Sequence, residues 1–237
     1  MTASKIGKGL AGAAAMAAGS YSFAEVIAIS PPADIPTPPA PNSTAPVGWD
    51  VNGDSIADFN FNFRHPNSTG ASGVVWQANM NPVNGTATGN AVAGFQGPFI
   101  NYATNFLANT VIGATLPAGA SFRVAAQVTL GSVYRSGGVP SAYGGFGNGA
   151  PPGSANPNPG GGPQQAEGFV GFRVGTGANT RYGWLQLRTN TTFGIDFIAA
   201  AINTTPNEPV TTGVVPEPTS LALLALGAAG LLRRPKH

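Results

Sequence analysis

From Asp58 to Arg64 the chain alternates strictly, with Phe59, Phe61 and Phe63 on one side and Asp58, Asn60, Asn62 and Arg64 on the other. A period of two is that of a strand with one face buried. Residues 73–80 read as another strand around Val74, Val75 and Trp76, and 91–95, 99–102 and 110–114 as shorter ones. Residues 121–130 read as one strand, with Phe122, Val124, Ala126, Val128 and Leu130 on a common face. The last third predicts strands at 168–175, 180–189 and 193–202, the first two joined as a hairpin through Gly175 to Asn179. Gly, Asn and Pro punctuate these runs, and no repeat of useful length appears. The pattern predicts an all-β fold over 48–203, an antiparallel, jelly-roll-like β-sandwich.

Several stretches break the period. Pro31-Pro32, Pro36, Pro38-Pro39, Pro41 and Pro46 impose extended backbone and bury little, so 25–47 reads as a Pro-rich linker. Residues 136–163 are rich in Gly and Pro and read as a long mobile loop. Residues 204–215, rich in Thr and Pro, read as a second linker. The N-terminus carries Lys5 and Lys8, an uncharged Ala/Gly-rich run over 9–18, and small residues at Ser22 and Ala24. That order predicts a signal peptide over 1–24, cut before Glu25.

The other end has its own order. Pro216 and Pro218 lack N–H donors and push the residues before them to extended backbone, so a helix can start only after them, capped by Thr219 or Ser220. Leu221 to Leu232 is then apolar on every face, and Arg233-Arg234 closes it. This short hydrophobic helix falls below the roughly 17–25 residues of a comfortable membrane span. It crosses only by borrowing its polar flank, thinning the bilayer or snorkelling the arginines. Arg233 and Arg234 favour the cytoplasmic side, which leaves the body outside.

The formal net charge is +2, but the terminal segments hold much of the positive charge. Between Glu25 and Pro218 there are six arginines, no lysine and nine acidic residues, about −3. A nucleic-acid partner would need a basic patch, and the body has none. There is no cysteine, which excludes disulfides and thiolate metal sites.

Pro216-Glu217-Pro218, the apolar run and Arg233-Arg234 together resemble the PEP-CTERM sorting signal of bacterial surface proteins, which an exosortase-type membrane protease recognises and cleaves. The resemblance implies export, anchoring in the inner membrane by 216–237 before processing, and a final place at the cell surface or in the extracellular matrix. Phe169-Val-Gly-Phe172-Arg and Arg181-Tyr182-Gly183-Trp184 likewise resemble the terminal sheet segment recurrent in such proteins, and Asn52-Gly-Asp54 their opening strand. The tail is also labelled an ice-binding protein C-terminal domain. That label implies no ice binding, because the tail is an address and ice binding takes a flat repetitive face.

Candidate chemistry is sparse. Asp50, Asn52, Asp54 and Asp58 place oxygen side chains at positions 1, 3, 5 and 9 of a loop, with the carbonyl of Ile56 at position 7. That spacing suits calcium and looks like the loops of dockerin modules and thrombospondin-type repeats. Ser55 replaces the usual Gly and Phe61 the bidentate Glu, so an EF-hand is excluded; the competing reading is a polar turn leading into the first strand. Tyr182 and Trp184 form either a stacking platform for a sugar ring or ordinary sheet packing. His65 is the one histidine before the tail, and no Gly-x-Ser-x-Gly motif accompanies it. Glu167 and Asp196 are carboxylates that a glycosidase would need in pairs, with no spacing to single them out. The expectation is therefore no enzyme, but a structural or adhesive protein of the extracellular polysaccharide matrix. The alternatives are a calcium-dependent, lectin-like carbohydrate-binding module and a glycoside hydrolase of matrix sugar.

Overall fold

The computed structural model describes residues 25–34, 46–64, 73–97, 100–117, 119–124, 127–136, 139–146, 166–189 and 194–215. The expected signal peptide, the tail residues Pro216, Glu217, Pro218, Arg233 and Arg234 with their helix, and His65 lie outside these. The strands are β1 (Val26–Ile29), β2 (Val47–Trp49), β3 (Phe59–Arg64), β4 (Gly73–Pro82), β5 (Ala91–Gln96), β6 (Asn101–Ala103), β7 (Val111–Ile112), β8 (Ser121–Arg123), β9 (Val128–Ser136), β10 (Val139–Tyr143), β11 (Ala166–Val174), β12 (Arg181–Thr189), β13 (Ile195–Asn203) and β14 (Val210–Thr211). One helical turn, Gly85–Thr88, joins β4 to β5. The all-β expectation holds.

Twelve of the strands form one curled sheet in the order β1-β13-β12-β11-β5-β6-β9-β4-β3-β2, with β8 on β5 and β10 on β9, and β7 and β14 pair as a separate two-stranded sheet. β5 is the corner. Val92 pairs with Phe172 on one side and Arg123 on the other, while Gly94 pairs with Ala103 and Ser121. One edge of β5 thus serves β11 at its start and β6 at its end. The chain thereby divides into two layers, β1-β13-β12-β11 and β6-β9-β4-β3-β2, that face each other. Rings from the two layers meet across the gap: Phe61 and Phe197 at 4.8 Å, Phe59 and Phe172 at 5.5 Å, Trp49 and Phe172 at 5.2 Å. The Phe59/Phe61/Phe63 stripe is buried there with Trp76, Met80, Leu130, Leu185 and Leu187. Full burial of each such side chain contributes about 1.5–3 kcal/mol, which a chain without disulfides depends on.

The pairing is not wholly antiparallel. β6 runs parallel to β9, through Asn101–Val128 and Tyr102–Thr129, because the chain makes a long excursion between them. That excursion explains a second correction. The alternation over 121–130 reads as one strand, but its two ends serve different partners: β8 joins β5, and β9 joins β4. Phe122 accordingly packs outside the sandwich and Leu130 inside it.

The outer face of β11-β12-β13 is covered as well. Phe106, Ile112 and Val210 bury Phe169, Tyr182, Trp184 and Ala201 against that face, with Leu116 and Phe122 packed beside them. The Gly-Phe-Arg and Tyr-Gly-Trp segments are opposite halves of this arrangement. Phe172 pairs with Gly183, where a Cβ would lie 2.2 Å from the Phe172 ring, so the glycine makes room for the inner-face aromatic. Gly171 pairs with Trp184 and leaves space on the outer face for Ile112.

Both expected linkers fold onto the body at least in part. Val26–Ile29 pairs with β13 as an edge strand, Ser30 accepts a hydrogen bond from Trp49 Nε1 at 2.8 Å, and Asp34 accepts from the Phe197 amide at 2.7 Å. Proline dominates only from Pro31 onward, so the preceding Val-Ile-Ala-Ile is free to donate to a sheet. Val210–Thr211 pairs with β7, and Thr212 is fully buried. Part of the expected 136–163 loop is also ordered. β10 forms a hairpin with β9, and Phe146 is buried, its amide donating to Leu130 O at 3.1 Å. An aromatic anchor overrides Gly-rich composition in that segment.

Candidate functional site

The loop 50–58 closes the β2–β3 hairpin, with the Asp58 amide donating to Trp49 O at 2.9 Å. Its oxygens are turned onto its own backbone. Asp50 accepts from the amides of Gly53 and Ser55, both at 2.7 Å; Asn52 accepts from Asp54 N at 2.9 Å, and Asp54 from Ile56 N at 2.8 Å. Asp58 points the other way. It accepts from Val51 N at 3.0 Å and from Asn90 Nδ2 at 2.9 Å, and Asn90 accepts in turn from Gly175 N at 3.2 Å. Burial pushes the Asp58 carboxyl above its usual range, and the bonds from Val51 and Asn90 partly offset this. Among the described residues no three carboxylate or histidine groups gather to hold a metal ion. The arrangement is that of the polar turn, with Asp58 as an internal strut.

Tyr182 and Trp184 are buried at 4% and 1% exposure. Tyr182 stacks on Phe122 with centroids 5.8 Å apart, and Trp184 meets Phe169 edge-on at 5.4 Å. Neither ring has a face open to a sugar, which corrects the platform reading: the excursion through 104–122 covers them. The carboxylates of Glu167 and Asp196 flank Arg188, which is opposite both in the register of β11-β12-β13. Asp196 accepts from Arg188 Nε at 3.1 Å and from a terminal guanidinium nitrogen at 2.9 Å; Glu167 accepts from Gln186 at 2.9 Å. Both carboxylates are engaged at the surface, Asp196 in an ion pair with Arg188 and Glu167 in a bond from Gln186.

A groove of about 590 Å³, with no charged residue among its described lining, lies elsewhere, on the outer face of the other layer. β6 and β10 occupy the same edge of β9 end to end, β6 at its start and β10 at its finish. The groove opens over their junction. Tyr102 comes from β6, Tyr143 from β10, Ser132 and Tyr134 from β9, Gln77 from β4, and Gln127 from the residue before β9. Beside this floor runs an amide–hydroxyl ladder: Gln77 Nε2 donates to Thr129 Oγ1 at 3.2 Å, and Thr129 donates to Asn79 Oδ1 at 2.9 Å. Tyr102 stacks on Phe95, and its phenol is pushed up by burial and by the nearby Tyr143. Sequence reasoning passed over this groove. The alternation does turn Gln77 and Asn79 away from Trp76, Ala78 and Met80, but which strand lies beside β4 is not written in it.

The last feature is the C-terminal stretch of the described residues. Thr212 accepts from Thr110 N at 2.8 Å and donates to Leu107 O at 2.6 Å, while its backbone pairs with Asn109 and Thr110. Gly213 follows with φ at +75°, a value that glycine adopts without strain. The chain carries the PEP-CTERM protein-sorting motif at residues 214–236, which begins at the next residue. The motif implies export, membrane anchoring through the tail before processing, and processing by exosortase, a membrane enzyme. No helix among the described residues is long and apolar enough to cross a membrane. No curated protein and no solved structure gives a significant match to the chain.

Proposed function

We propose that the folded body acts structurally or adhesively in the extracellular polysaccharide matrix once an exosortase-type protease has removed the tail. The observation that carries this reading is the junction: Thr212, the last buried residue among those described, is separated from the sorting motif by Gly213 alone. A body built to be delivered whole and then cut free needs its fold complete before the address begins. The side-chain geometry supports a passive role, because Asp58 serves as a buried strut and Glu167 and Asp196 flank a guanidinium at the surface.

The test is fractionation of the full chain in an exosortase-bearing bacterium, beside a variant with Pro216, Glu217 and Pro218 all changed to Ala. The expected result is wild-type protein in the matrix fraction, shortened by about the mass of the tail, and full-length variant in the membrane fraction. Wild-type protein that leaves the membrane but washes free of the matrix overturns the reading.

A further inference from the structure

We propose that the groove over the β6–β10 junction binds a neutral glycan, one chain segment of hydroxyl-bearing pyranose rings. This deepens the adhesive reading above and rests on it. Three observations converge on that ligand.

The first is size. A cleft of about 590 Å³ falls within the roughly 300–1,000 Å³ of small-ligand sites. The second is charge. Among the described lining residues none is ionic: the walls offer Tyr102, Tyr134 and Tyr143, and the polar groups are Gln77, Gln127 and Ser132. A charged sugar would lose hydration there with no counter-ion to replace it. The third is the mixture of surfaces. A pyranose has an apolar C–H face and a rim of hydroxyls. Tyrosine matches both, since its ring packs on the face and its phenol bonds the rim. Gln77 and Ser132 are more than nine-tenths buried, and the ladder through Thr129 and Asn79 fixes the Gln77 amide. Ser132, Tyr134 and Tyr143 all line the groove, so their hydroxyls are placed to bond the hydroxyl rim.

A peptide is the competing occupant. Strand addition needs an open sheet edge, whereas this groove lies on a sheet face above paired strands. A proline-rich segment on the tyrosines remains as an outcome to be tested.

The experiment is affinity gel electrophoresis of the full chain in detergent, through gels holding hydroxyethylcellulose, dextran, galactomannan or alginate. Retardation is expected in at least one neutral gel and not in alginate. Tyr134 is 41% exposed, so Tyr134→Ala should fold normally and weaken binding roughly tenfold, as should Tyr143→Ala. Leu107→Ala, at a still more exposed apolar site on the far cover, should change nothing. Three results overturn the proposal: no retardation in any neutral gel, retardation that both tyrosine variants retain, or binding only to a polyproline peptide titrated in solution. The gel decides the groove and the fractionation decides the matrix reading, so either can fail while the other stands.

Discussion

The two outer faces of the sandwich carry similar aromatic residues and treat them oppositely. On β11-β12-β13, Phe169, Tyr182 and Trp184 lie under the 104–122 excursion and Val210. On β4-β9 and the adjoining β6 and β10, Tyr102, Tyr134 and Tyr143 line an open groove. Composition does not distinguish the faces. What distinguishes them is whether another part of the chain is long enough, and apolar enough, to return and lie over them. An aromatic on a sheet face is therefore core or contact according to its cover.

The largest break in this comparison is expected from paired alanine variants. Trp184→Ala should cost about 3–5 kcal/mol in denaturant unfolding, because it empties a site closed on both sides. Tyr134→Ala should stay within about 0.5 kcal/mol, as exposed positions do. Equal losses would mean that the groove is core and that the two faces do not differ.

The cover itself can be tested next. Thr212→Ala leaves Leu107 O and Thr110 N without the hydroxyl, and should cost about 1–3 kcal/mol. Amide hydrogen exchange should rise over 106–112 while β4 and β9 stay protected. Uniformly faster exchange would show that the cover and the sandwich open as one unit.

A smaller effect concerns pH. Asp58 holds its proton more tightly folded than unfolded, because burial raises its folded value. Its contribution to stability is thus fully present below the unfolded value near 3.8 and is lost as pH rises through the folded value. Asp58→Asn should flatten that part of the stability profile, from the unfolded value near 3.8 upward. An unchanged slope would assign it to another carboxyl.

The smallest expected effect is that of calcium. The loop's oxygens already accept from the amides of Gly53, Asp54, Ser55 and Ile56. Millimolar calcium should leave the melting temperature unchanged to within about 1 °C, since only a ligand that binds the folded state raises it. A rise that Asp50→Ala abolishes would reinstate the metal reading for Asp50, Asn52, Asp54, Ile56 and Asp58.

Much of the fold was legible where the period was long. The Phe59 stripe and the β11–β12 hairpin follow directly from alternation and a Gly-rich turn. β1, β10 and β14 were not legible, because a strand of a few residues beside prolines or glycines is decided by its neighbour and not by its own pattern. The site residues divide the same way. Asp50 to Asp58 has cation spacing, but spacing is silent on whether the side chains face outward or cap their own amides. Tyr182 and Trp184 were visible as aromatics, yet the segment that covers them lies far away in sequence. The groove needed β6 and β10 to meet on β9, a non-local pairing that no short window contains.

The Thr212 stitch also sets a distance. With β14 seated on β7, only Val214 and Val215 separate Gly213 from Pro216, a reach of roughly 10 Å at full extension. The body is then on a short leash, pressed close to whatever surface holds the tail. Were the β7–β14 pair to peel away, the leash would start at Asn207, whose amide donates to Thr180 O at 2.7 Å, and lengthen to roughly 30 Å. Two residue pairs and one hydroxyl thus decide whether a tethered body stands against the membrane or swings clear of it.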